Sequence, residues 1–161
     1  MQEVIKDMEM EQLIKCRWMI RGDCEQVALI TKHALLHRKP LSAREAQIAL
    51  RQKTIVGAVA EMADDIPLIL GFAMLSTQND DICELVIMSV DHKWHRCGIG
   101  TMLLEHCERM ARHIGYSKFH TIIHERELDA QMFFKAHGWQ CKHIHRHYDG
   151  DDCGLYFYKG Q

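Results

Sequence analysis

The chain has 161 residues, 47% of them apolar, with a formal net charge of −2 and seven cysteines. That length and composition fit one domain with a real hydrophobic core and exclude a disordered chain. The near-neutral balance gives no electrostatic reason to expect nucleic acid or an anionic membrane, and no apolar run approaches the length of a membrane span.

Residues 1–15 mix acidic and basic side chains with Val4, Ile5, Met8, Leu13 and Ile14. They are expected to form a helical or frayed extension ahead of a single domain over 16–161. The stretch 1–7 lacks the basic start and apolar core of a signal peptide. The cysteines are odd in number, irregularly spaced and without a C-x-x-C pair, so free thiols in a reducing cytoplasm are expected.

Residues 17–21 read as a first strand. Gly22 and Asp23 open a helix over 25–37, with Val27, Ile30, Ala34 and Leu35 inward, and Pro40 stops it. Ser42 and Glu45 form a capping box for a second helix reaching about 52. Residues 54–60 are apolar and β-branched, hence a strand. Asp64-Asp65 is a turn, 67–75 the next strand, and 78–81 the next turn.

Residues 84–90, Glu-Leu-Val-Ile-Met-Ser-Val, are a nearly continuous apolar run that suits a buried strand. Then come Asp91 to His95, and Arg96-Cys97-Gly98-Ile99-Gly100-Thr101. The last group feeds a helix whose apolar stripe is Ile99, Met102, Leu103, Cys107, Met110, Ala111 and Ile114. Strand, glycine turn and helix start together hold an anion: free N–H groups at the helix N-terminus point at it, and Arg96 adds a charge. No Gly-Lys-Ser/Thr follows, so this is not a Walker loop. The third glycine of a dinucleotide fingerprint is absent.

Gly115 ends that helix. A strand over 118–124, a helix over 128–137 closed by Gly138, and strands over 140–148 and 155–159 around an acidic turn complete the chain. The order predicts a mixed α/β (α+β) domain with a partly antiparallel central sheet flanked by helices. Among the twelve histidines, His143, His145 and His147 alternate and are expected to share one strand face, as are His120 and His124 on a neighbouring strand. No carboxylate or cysteine stands at matching spacing, so no metal is expected, and the face reads as polar and solvated. Phe133, Phe134 and Trp139 read as core.

Over about residues 17–159 the chain resembles the GNAT superfamily of acyl-CoA N-acetyltransferases. Three places carry the likeness. His95-Arg96-Cys97-Gly98-Ile99-Gly100 matches the family's Gln/Arg-x-x-Gly-x-Gly/Ala phosphate loop. Glu127-x-x-Ala130-x-x-Phe133-Phe134 with Gly138-Trp139 matches its later signature. Trp18 to Asp23 resembles its first strand and turn. Arg146-His147-Tyr148 is similar to the ribosomal-protein-alanine (protein N-terminal) acetyltransferase group. The resemblance implies a splayed strand pair at the cofactor cleft and acetyl-CoA as cosubstrate. Met88, Ser89 and Val90 would face the pantetheine arm and acetyl group. Arg96, Cys97, Gly98, Ile99, Gly100 and Thr101 would cradle the pyrophosphate.

The chain also departs from the pattern. His95 replaces Gln or Arg, and Glu127 replaces Asn. Ile122 stands where the N-terminal group has its glutamate base, and Phe134 where the family has its acid tyrosine. A thiol with a pKa of about 8.5 leaves unaided at modest cost, so loss of the tyrosine is survivable. Glu84 is the first candidate for the base, because an apolar strand would raise its affinity for a proton. It also matches the glutamate of the histone-acetyltransferase branch. Glu125 is the weaker candidate, and Tyr148 would order the amine or act as acid. The expected activity is transfer of acetyl to a primary amine by direct attack. A protein N-terminal α-amine is favoured over a lysine or small amine, and the acidic turn 149–152 suits a cationic acceptor. The rival is a protein that keeps the CoA cleft without catalysis and senses acyl-CoA or docks a partner. Exposed β-edges in such folds suit a homodimer.

Overall fold

The computed structural model describes residues 13–34 and 39–160. The strands are β1 (Ile14–Trp18), β2 (Ile55–Met62), β3 (Leu68–Ser76), β4 (Cys83–Val90), β5 (Phe119–His124), β6 (Gln140–Asp149) and β7 (Asp152–Lys159). The helices are α1 (Cys24–Ala34), α2 (Ala43–Arg51), α3 (Ile99–His113) and α4 (Leu128–Ala136), with 3-10 turns at Arg21–Asp23 and His92–Trp94. One seven-stranded sheet runs in the order β1-β2-β3-β4-β5-β7-β6. Every neighbouring pair is antiparallel except β4 with β5.

The element order is the one the sequence predicts, with one shift in register. β1 begins at Ile14 and ends at Trp18, three residues earlier than the expected 17–21. Asp23 is the cause. Its carboxylate accepts the Ile20 N–H at 2.8 Å and takes two bonds from Arg17 at 2.9 Å. Those bonds turn 20–23 out of the sheet, while the Met19 N–H still donates to the Gly57 carbonyl at 2.8 Å. The expected end of the first helix, 35–37, and most of the expected extension, 1–12, lie outside the described residues. The capping box at α2 forms as read: Ser42 Oγ accepts the Glu45 N–H at 3.2 Å, and Glu45 accepts the Ser42 N–H at 2.8 Å.

Alternation along the strands sorts side chains to two faces. On one face Leu70, Ala73, Leu75, Leu85, Phe119, Ile123 and Phe157 meet Ile99, Leu103, Leu104, Cys107 and Ala111 of α3, with Phe134 of α4. Gly71 lets α3 sit close: a Cβ there would lie 2.9 Å from Leu103 Cδ1. Buried Glu108 ties α3 to β7 by bonds from Lys159 at 2.9 Å and reaches Trp139 Nε1 at 3.2 Å. On the other face Val59, Ile69, Phe72 and Met74 meet Val27 and Ile30 of α1 and Ala46 of α2. These two helices pack on β2, β3 and β4. β6, at the far edge, is exposed along its whole length.

Candidate active site

β4 and β5 share only two rungs, Cys83↔Phe119 and Glu84↔His120. Beyond them β4 runs on to Val90 and β5 to His124 without pairing, so the sheet opens into a wedge. The register between β3 and β4 explains the bend. Leu75 faces Leu85 and Met74 faces Ile87, so Val86 is an inserted residue. Such a bulge kinks its strand and increases its twist. Thr121 Oγ1 donates to the Leu85 carbonyl at 2.8 Å, just past the last rung. At the other end the Asp91 N–H donates to the Leu70 carbonyl at 2.8 Å. Counting back by twos, Ser89 also points its peptide groups at β3, while those of Met88 and Val90 face the wedge.

The chain leaves β4 into the glycine loop, and His95 fastens it. His95 Nε2 lies 2.9 Å from the Val90 carbonyl; a carbonyl only accepts, so Nε2 carries the hydrogen. The replacement at 95 therefore holds the loop to the strand end. Arg96 and Gly98 both have positive φ, 63° and 79°. Gly98 is the N-cap of α3 and has no side-chain capping bond. The first amides of α3 are therefore presented outward. Arg96 and Cys97 are exposed, whereas the Ile99 side chain is in the core and pins the loop. Thr101 Oγ1 lies 3.1 Å from His137 Nε2, and His137 Nδ1 lies 2.8 Å from the Phe133 carbonyl. Nδ1 must be the donor there, so in the neutral ring Nε2 accepts from Thr101. The structure thus brings 96–101 together at the mouth of the wedge, beside Met88 and Val90.

At the closed end of the wedge lies a polar cluster. Glu84, half-buried, and His120 are rung partners on the face away from α3. The His120 ring packs on Tyr156 with centroids 4.9 Å apart. His143 and His145 sit 5.6 and 6.1 Å from the same Tyr156 ring. Burial pushes the His120 ring below its ordinary pKa, and the Glu84 charge opposes that. Burial, then Glu84, pushes the Tyr156 hydroxyl up. Sequence reasoning did not single out Tyr156. Its place depends on the β5–β7–β6 register, Ile122↔Tyr156↔His143, which leaves no local mark.

Tyr148 lies on this same face. Its ring covers Gly154, where a Cβ would stand 2.7 Å from Tyr148 Cγ and 2.8 Å from Ile122 Cγ2. Ile122 is two residues beyond His120, so Tyr148 is roughly 7 Å along the strand from the Glu84 rung. The expected sharing of a face holds for His143 and His145, which both flank Tyr156, while the strand is irregular at His147. The register shifts between His145 and Asp149, and His147 takes φ 55°. Glu125 is committed elsewhere: its Oε1 accepts the Cys153 N–H at 2.7 Å. His124 Nδ1 accepts the Arg126 N–H at 3.2 Å, which leaves the hydrogen on Nε2, 3.4 Å from Asp152. Phe134 is in the core, edge-on to Trp139 at 5.0 Å. Glu127 is the N-cap of α4 and makes no side-chain cap bond. Among the described residues no group of three His, Cys, Asp or Glu converges as metal ligands would.

The uncapped helix start beside an opened strand edge defines a class of protein, and comparison agrees. The model of the acetyltransferase (GNAT) family matches residues 17–139. The chain belongs to the GNAT family and is by class an acetyl-CoA-dependent N-acetyltransferase. Among solved structures it is similar to the ribosomal-protein-S18-alanine N-acetyltransferase from Escherichia coli, at 18% identity and TM-score 0.77, covering 91% of this chain and 93% of that one. It is similar to the PaiA N-acetyltransferase from Thermoplasma acidophilum in complex with coenzyme A, at 17% identity and TM-score 0.75, covering 92% and 99%. It is also similar to YncA from Salmonella typhimurium with acetyl-CoA, at 17% identity and TM-score 0.76, covering 92% and 94%. No curated protein sequence matches it. At these identities the structural likeness speaks for the fold.

Proposed function

We propose that the protein moves the acetyl group of acetyl-CoA to a primary amine, with a protein N-terminal α-amine as the favoured acceptor. The observation that carries this is the pairing of the uncapped α3 start, Gly98 at φ 79°, with the unpaired edge of β4. When bound, the thioester supplies an activated acetyl group. The amides at 98–101 and the Arg96 guanidinium bind the diphosphate. The Met88 and Val90 peptide groups bond the amide arm as an added strand would, Ser89 shapes the wall between them, and the Val90 N–H polarises the acetyl carbonyl. Cys97, Ile99 and Thr101 hold the loop's shape. Glu84 drives removal of the proton that an ammonium must lose before its nitrogen has a lone pair. Tyr148 orients the amine.

The α-amine is favoured by the Arg146-His147-Tyr148 spelling and by the likeness to an enzyme that acetylates a ribosomal protein's alanine. A lysine or a small amine is the remaining choice. The seven free thiols suit a reducing cytoplasm, and the bare β6 edge suits a second copy of the chain. The catalytic unit in this reading is the domain expected over 16–161, with Ile14 and Lys15 added as the start of β1.

One observation favours a second reading. Phe134 is locked in the core and Ile122 has no ionisable group, so two side chains of the N-terminal subgroup's chemistry are missing. A protein with that deficit would bind acyl-CoA as a sensor. Thiol release from acetyl-CoA with mixed amine acceptors, followed by mass spectrometry of the acceptors, decides. A mass gain of one acetyl group, abolished by Glu84→Gln, supports the enzyme. Tight binding without thiol release supports the sensor.

A further inference from the structure

His120 carries a feature that Glu84 does not. Its Nδ1 is sealed from solvent and has no hydrogen-bond partner among the described residues. Buried polar atoms in native folds are nearly always paired, so an orphan at the apex of a binding wedge marks an unfinished network. The charged and titratable groups facing the ring are Glu84 from β4, Tyr156 and Tyr158 from β7, and, across Tyr156, His143 and His145 from β6. Glu84 is the one negative charge among them. It stands across the last rung from the ring, at the place where the wedge begins.

We propose that Glu84 and His120 work as one proton-accepting unit, the ring taking the ammonium proton of the acceptor and the carboxylate steadying the imidazolium that forms. The proposal rests on the acetyltransferase reading above. Burial keeps the ring neutral and ready at neutral pH, and Glu84 favours its charged form. The ammonium gives one proton to the ring at Nε2, the nitrogen that is not sealed, through a water where the amine does not reach it. The freed lone pair forms the N–C bond, the C–S bond breaks, and its electrons leave on sulfur. The second nitrogen proton passes by solvent to the thiolate, and the imidazolium returns its own to solvent. Charge stays low throughout, because the carboxylate and the ring neutralise each other when the proton is held.

The test is a double-substitution cycle on kcat/KM for the amine, using Glu84→Gln, His120→Asn and the pair, from pH 6 to 9. Calorimetric affinity for coenzyme A controls for folding. Each single change is expected to lower kcat/KM on the order of 100-fold at pH 7, and the pair no more than the worse single. The loss should shrink toward pH 9, where an α-amine with a pKa of about 8 sheds its own proton. Coenzyme A affinity should stay within twofold. Additive losses, a His120→Asn profile parallel to wild type, or activity lost in step with coenzyme A affinity would each overturn the unit. In that case an active wild type leaves the acetyltransferase reading standing. A wild type that acetylates no amine ends both.

Discussion

Tyr148 rests on Gly154. The ring occupies the space a Cβ would take at that position, 2.7 Å from Tyr148 Cγ. A strand residue opposite thereby sets how deep the aromatic sits on this face of the sheet. Gly154→Ala should lift the ring and lower kcat/KM for the amine on the order of 10- to 100-fold. The KM for acetyl-CoA should not change, since the loop at 96–101 is untouched. Initial-rate kinetics with both substrates varied would read the difference. Equal effects on both substrates would remove Tyr148 from the acceptor side.

Gly98 presents the opposite case. A Cβ there meets nothing within 4 Å, but φ is 79°. Gly98→Ala is therefore strained in backbone rather than crowded, by about 1–2 kcal/mol. If the loop relaxes away from that conformation, coenzyme A affinity should fall about tenfold. Arg96→Ala should weaken binding as well, and more strongly at low salt, because it removes a charge. Titration calorimetry at two ionic strengths checks both.

Two rings predict how stability responds to pH. Burial pushes His120 and His106 below their ordinary pKa, and Arg109 adds to the effect at His106. The unfolded chain, with histidine near 6.5, takes up protons that the folded rings resist. Stability contributed by these rings is therefore full above that value. It falls as pH drops from about 6.5 toward the lowered folded values. Melting temperatures at pH 7.5, 6.5 and 5.5 should decline in that order. His106→Gln should flatten the decline; an unchanged slope would clear His106 of the effect.

The capping box at α2, a helix packed on β2 and α1, gives a stability control. Bonds from the Ser42 N–H and hydroxyl hold the Glu45 carboxyl down to about 2. Ser42→Ala should cost about 1 kcal/mol in urea unfolding and leave kcat alone. A loss of kcat there would place this segment among the acceptor-side elements.

What could be read without coordinates was whatever is encoded within a few residues. The Ser42–Glu45 box, the Gly98 turn into α3 and the element order all have local spellings, and all appear as read. The register of β1 was hidden because it depends on Asp23 reaching back to Ile20 and Arg17. The alternation of His143, His145 and His147 does not foretell the irregular pairing between His145 and Asp149, since such a break near a hairpin end has no strong signal in polar residues. The stripe on α3 was close, but Ile114 is exposed and Leu104 is buried in its place. Glu84 stood out alone as an acid in an apolar run. Its company, His120 and Tyr156, comes from strands 36 and 72 residues further on, by difference of their numbers, and only the sheet assembles it.

Two rungs are a thin seam. Cys83↔Phe119 and Glu84↔His120 carry all of the ladder between β1–β4 and the β5–β7–β6 half. Whatever fills the opening then serves as a keystone, bracing both halves. Mass action turns that bracing into a thermometer of occupancy: a ligand at a hundred times its Kd adds about 2.7 kcal/mol to the folded state. Occupancy of the gap and endurance to heat are for this reason tied together.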